Sequence, residues 1–157
     1  MTGDESPELA GLREEIDEVE RTTVRTVDLG ARGMIIAVAV FVLIIGEILP
    51  WMGGANGLDV LLGRHDATGK AGMVPRLFAV TSMAFGILAS MLALMTRRWW
   101  LTWVCALGGW LATVTGILAI WSRQSSGGAG PGIGLVISVI ATVVIAALWF
   151  RTAWSRS

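Results

Sequence analysis

The chain has 157 residues, 54% of them hydrophobic and only 15% charged, with a net charge of zero and a mean hydropathy of +0.69. A soluble domain carries about 25% charged residues, so this balance argues against an ordinary water-soluble fold, and the length suits a single domain. Nine of the twelve acidic residues lie between Asp4 and Asp28 against Arg13, Arg21 and Arg25, which leaves that segment at −6 and the remainder at +6. An acidic head disfavours nucleic acid as a partner, because phosphate binding needs a basic face.

The acidic segment, residues 1–32, reads as a cytoplasmic tail with an amphipathic helix. Ser6-Pro7-Glu8 is an N-cap followed by proline at the first helical position. Leu9, Leu12, Ile16 and Val19 then recur at spacings of three and four, and Asp17 pairs with Arg21 at i,i+4. Two heptads are short for an independent coiled coil. The stripe is therefore either one side of a helix that frays alone, or a docking surface for a protein partner or a second copy. Its acidic face disfavours an anionic leaflet. No cleavable signal peptide is expected, and the first apolar run reads as a retained anchor.

About 20 apolar residues are needed to cross a bilayer as a helix. Four runs qualify within residues 33–150: about 33–51, 77–95, 100–121 and 133–150. They are continuous and lack the alternation of a membrane strand, so helices are expected. Glu47 is the one charged residue inside a run. An intramembrane carboxylate is by default a functional candidate, and Glu47 is a possible ion or proton site. It also lies near the end of its run, where it could reach the interface or pair with Arg76 or Arg123. Pro50 follows closely and frees the carbonyl of Gly46 from its helical bond.

Residues 52–75 form a Gly-rich outer loop whose Leu58-Asp59-Val60-Leu61-Leu62 piece is expected to lie on the membrane surface or cap the bundle. His65, Asp66 and Asp59 make too thin a set for a metal site and read as a solvated loop. Neither metal nor cofactor is expected. The second and third runs meet at Thr96-Arg97-Arg98 and must form an antiparallel hairpin. Cys105, the sole cysteine, excludes an intramolecular disulfide and reads as a small packing residue. Residues 122–132, with Ser125-Ser126-Gly127-Gly128 and Gly130-Pro131-Gly132, read as a flexible connector.

Small residues recur every four positions: Ser82, Gly86 and Ser90, then Gly108, Ala112 and Gly116, then Gly134, Ser138 and Thr142. Such rows let helix backbones approach closely and predict a compact bundle, or equally the contact face of a homodimer. Residues 151–157 are a short cytoplasmic C-terminus.

Orientation follows from basic residues flanking the runs. With the N-terminus inside, eight arginines fall inside and four basic residues outside, which favours both termini in the cytoplasm. Seven of the eight tryptophans fall at run ends, where an indole suits the headgroup level. Only Trp110 is expected deep. The expected fold is all-α: a multi-pass, four-helix transmembrane bundle of the plasma membrane with an N-terminal cytoplasmic amphipathic helix.

The acidic tail, Leu49-Pro50-Trp51 and Gly57-Leu58-Asp59-Val60-Leu61 resemble conserved small membrane proteins of mycobacteria and related actinobacteria, families mostly without assigned function. The arginine-rich, lysine-poor composition suits such a source. A comparison with small multidrug resistance transporters fails, because this chain has no tyrosine for their substrate site. The resulting expectation is a non-enzymatic accessory or scaffold protein, partnered by the bilayer and by protein through its tail, without nucleic acid. The alternative is a small proton- or cation-coupled transporter or channel using Glu47. A membrane enzyme ranks third, since no catalytic constellation can be assembled.

Overall fold

The computed structural model describes residues 7–24, 30–64, 72–127 and 130–155. They form an all-α structure with one small hairpin. Helix α1 covers Pro7–Val24 and α2 Gly30–Ile48; strands β1 (Pro50–Met52) and β2 (Ala55–Asn56) follow, then a short α3, Gly57–Leu62. Helix α4, Met73–Thr81, runs without a break through a π-helical segment, Ser82–Ala89, into α5, Ser90–Thr96. Helices α6, Trp99–Ser125, and α7, Ile133–Trp154, complete the bundle.

Four of these bodies are long and apolar enough, by length and composition, to cross a membrane: Gly30–Ile48, Met73–Thr96, Trp99–Ser125 and Ile133–Trp154. Their starts and ends differ from the apolar runs because helix propagation is set by backbone bonding and caps, not by hydrophobicity. The clearest case is the first. It stops at Ile48 rather than reaching Trp51. Pro50 has no N–H to offer Gly46 and disfavours a helical residue before it, so the chain leaves the helix and Trp51 enters β1.

The hairpin that follows turns on Gly53 (φ 54°) and Gly54 (φ 91°), with Met52 opposite Ala55. Both turn residues need positive φ, the condition that two-residue hairpins impose. Asn56 then caps α3: its Oδ1 accepts from the Asp59 amide at 2.9 Å, and its own amide donates to Asp59 Oδ2 at 3.3 Å. This reciprocal box makes Asp59 a helix-capping residue. Gly63, at φ 70°, ends the helix in the left-handed conformation.

The turn between α5 and α6 is as short as expected. Arg97 adopts φ 52° and donates its amide to the Ala93 carbonyl at 2.9 Å. Of the expected connector, residues 122–125 belong to the end of α6, and the Gly132 amide donates to the Trp51 carbonyl at 2.6 Å.

Two apolar clusters form the core. One contains Trp51, Val60, Phe78, Ala119, Leu135 and Val139, and the other contains Ile36, Leu43, Leu101, Cys105, Ile145 and Trp149. Gly46 and Glu47 stand between the two groups along α2. Val60 brings α3 into the first cluster, so the short helix caps that end of the bundle.

Candidate functional site

The most unusual polar arrangement grows from the break at Pro50. A proline at this position leaves the Gly46 carbonyl without its helical donor. The indole of Trp51 folds back and donates Nε1–H to that oxygen at 2.9 Å. Trp51 is fully buried and stacks on Phe78, with ring centroids 5.3 Å apart. Trp51, expected at the end of its run, is thus held by a vacant carbonyl inside the fold. Trp149, also expected near a membrane boundary, is buried as well and donates to Ser90 Oγ at 3.0 Å. Trp110, near the middle of α6, is half exposed on the outside of the bundle and meets Phe150 edge-on at 6.4 Å.

Glu47 lies directly beside this break. It is 2% exposed, and its Oε1 accepts from Ser82 Oγ at 2.9 Å. Oε2 accepts no hydrogen bond among the described residues. Glu47 therefore pairs with a buried serine rather than reaching the interface or Arg76, which is exposed. Gly57 covers the carboxyl group: a Cβ there would overlap Glu47 Oε2 and stand 2.9 Å from the Trp51 ring. Trp51, Ser82 and Gly57 had not been grouped with Glu47 from the sequence. The available signal was Pro50, four residues after Gly46, which created a need for a local donor.

The small-residue positions lie at helix contacts. Ser82, Gly86 and Ser90 occupy or flank the π-helical segment, and Ser90 Oγ donates five residues back to the Phe85 carbonyl at 3.1 Å. Residues four apart advance about 40° around an α-helix; the wider π turn counters that drift, and all three are buried. A Cβ at Gly86 would stand 2.5 Å from Leu43. Gly108 receives the Phe85 ring, Gly116 lies against Phe78 and Val139, and Gly134 faces the Gly46 and Leu49 carbonyls. Ala112 is buried, Thr142 is buried and bonds the Ser138 carbonyl, and Ser138 approaches Gly46 so closely that a Cβ there would stand 2.5 Å from its Oγ. Gly46, Gly109 and Gly132 act in the same close packing, outside the three rows expected from the sequence.

In α1, Leu9, Leu12 and Ile16 are exposed, between 52% and 59%. Val19 is helical, but its side chain lies outside the described residues, as do His65 and Asp66. Cys105 is buried in the core.

The MiaB C-terminal domain family matches residues 13–157. A tRNA-2-methylthio-N(6)-dimethylallyladenosine synthase from Mycobacterium avium (strain 104) is 44% identical over 156 residues, covering 98% of this chain and 22% of that protein. The chain thus spans about a fifth of the length of this curated relative. No solved structure matches it.

These matches correct several expectations. The resemblance to membrane families without assigned function gives way to a family named for a tRNA-modifying enzyme. A non-enzymatic scaffold, and a transporter built on Glu47, are both set aside because the relative is an enzyme. The scaffold reading rested on the absence of intramembrane chemistry and on the patterned tail, the transporter reading on Glu47, and both drew only on the portion corresponding to 22% of the relative. The exclusion of nucleic acid fails for a similar reason: the acidic head describes its own surface, whereas the relative is named for a tRNA nucleoside. The chain belongs to the MiaB C-terminal domain family.

Proposed function

We propose that the chain serves the formation of 2-methylthio-N(6)-dimethylallyladenosine in tRNA, as the helical, membrane-embedded part of the modifying enzyme. The observation that carries this reading is 44% identity sustained over 98% of the chain. Because the match covers 22% of the relative, tRNA binding and methylthiolation are assigned to the rest of the enzyme, and attachment to the plasma membrane to this part.

The membrane assignment rests on physical grounds. At 1.5 Å per residue, helices of 19 to 27 residues reach about 28–40 Å, enough for a hydrocarbon core of about 30 Å. Their outward faces carry Val38, Phe41, Leu88, Leu107, Ile117 and Ile140, all more than half exposed. An apolar surface this extensive is unsuited to water. The distribution of arginines favours both termini on the cytoplasmic side, the side on which a tRNA-modifying enzyme meets its substrate.

Two measurements test the reading. In cells depleted of the gene for this chain, digested tRNA should show a lower ratio of the methylthiolated nucleoside to its unmethylthiolated precursor by mass spectrometry; an unchanged ratio would overturn the assignment to tRNA modification. The chain should also stay in the membrane pellet after alkaline carbonate washing, and its release would overturn the membrane assignment.

A further inference from the structure

The end of the bundle that holds Trp149 gathers the start of α2, the α5–α6 turn and the end of α7. Residues 30–36, 96–101 and 149–155 there contain Arg32, Arg97, Arg98 and Arg151 and no carboxylate. On α7 at this end, Phe150, Arg151, Trp154 and Ser155 line a groove of about 360 Å³. The rings of Phe150 and Trp154 lie 5.7 Å apart and form its apolar wall. Arg32 crosses from α2 and donates Nη1–H to Ser155 Oγ at 3.4 Å. Arg151 and Ser155 both line the groove, and Arg32 reaches it through its bond to Ser155, so the two arginines meet the groove from different helices.

We propose that this groove binds an anionic phospholipid, with its phosphate at Arg32 and Arg151 and an acyl chain along Phe150 and Trp154. The proposal rests on the membrane reading above and deepens it by naming a ligand. A guanidinium offers five donors, and the long contact to Ser155 occupies one of those on Arg32. Phosphate is the acceptor that suits paired guanidinium groups. Arg97 and Arg98, also exposed at this end, add to the positive field that attracts an anionic leaflet. The apolar wall directly beside the cationic rim favours a molecule with both a charged head and a hydrocarbon chain. A polynucleotide would use the rim alone.

The test uses the full chain in lipid nanodiscs or detergent, with native mass spectrometry in the presence of phosphatidylglycerol or phosphatidylcholine. The wild type should retain phosphatidylglycerol roughly thirtyfold better than phosphatidylcholine, the order expected from two cationic contacts near a membrane surface. Arg32→Gln with Arg151→Gln should bring the two lipids to parity while circular dichroism shows an unchanged helical fold. Trp154→Ala should weaken retention of both lipids. Arg76→Gln, outside the groove, should leave the preference intact; its loss there would reduce the effect to overall charge and overturn the site. Displacement of lipid by added tRNA, abolished by the double substitution, would reassign the arginines to nucleic acid. A chain that enters nanodiscs without headgroup preference refutes this proposal alone, whereas a chain that does not enter them refutes the membrane reading as well.

Discussion

Trp51 shows how one backbone vacancy organises its surroundings. Its indole supplies the donor that Pro50 withholds from Gly46, and its ring stacks on Phe78. Trp51→Phe keeps an aromatic ring but leaves a buried carbonyl without a donor, so it should cost about 1–3 kcal/mol, read from unfolding of the purified chain in mixed micelles. Glu47→Gln keeps the shape and leaves an oxygen able to accept from Ser82. Its stability should remain within about 1 kcal/mol of wild type, as for volume-conserving exchanges, in the same unfolding assay; a collapse of the fold would show that the carboxyl group itself is required. The vacancy at Gly46 was legible in the sequence because proline chemistry is local. Its filling by Trp51 was not, since an indole at the end of an apolar run fits equally well at a lipid interface or in a protein interior.

The secondary-structure elements were legible where they depend on nearest neighbours. Four long helices followed from continuous apolar runs, the α5–α6 turn from Thr96-Arg97-Arg98, and the capping role of α3 from its short apolar piece. The π-helical segment depends on groups distant in sequence, such as Trp149 at Ser90, whereas the β1–β2 hairpin had a local signal in Gly53-Gly54 that the glycine-rich loop reading absorbed. Glycines separate the two kinds of constraint. Gly54→Ala must hold φ near 91° and should lose about 1–2 kcal/mol. Gly11→Ala lies in α1 with nothing within 4 Å of the added methyl group and should raise helix stability by about 0.5–1 kcal/mol. Thermal unfolding followed by circular dichroism would compare the two, and equal effects would contradict the assigned backbone conformations.

Function was the least legible property, and the reason is one of length. A chain matching 22% of its relative carries only that share of its residues, and its acidic head obscured any link with tRNA. Its own composition speaks instead about solvent. Under the membrane assignment proposed above, replacing Leu107, which is 64% exposed, with arginine should lower membrane insertion, since a charge near the centre of a spanning helix costs about 2.5–3.5 kcal/mol. A glycosylation-based insertion assay would measure this. Insertion equal to wild type would place Leu107 outside the hydrocarbon region.

The α2–α7 contact also bears on the order of events during synthesis. These helices are tied near one end by the Gly132 amide on the Trp51 carbonyl, and at the other by Arg32 on Ser155. Between them, Gly134 packs on carbonyls of the α2 terminus and Ser138 against Gly46. Because α2 precedes α7 in the chain, the Gly46 face of α2 lacks this cover until residues 132–138 have been made. Pairing across so long a stretch carries a loop-closure cost that local contacts such as Trp51 on Gly46 do not.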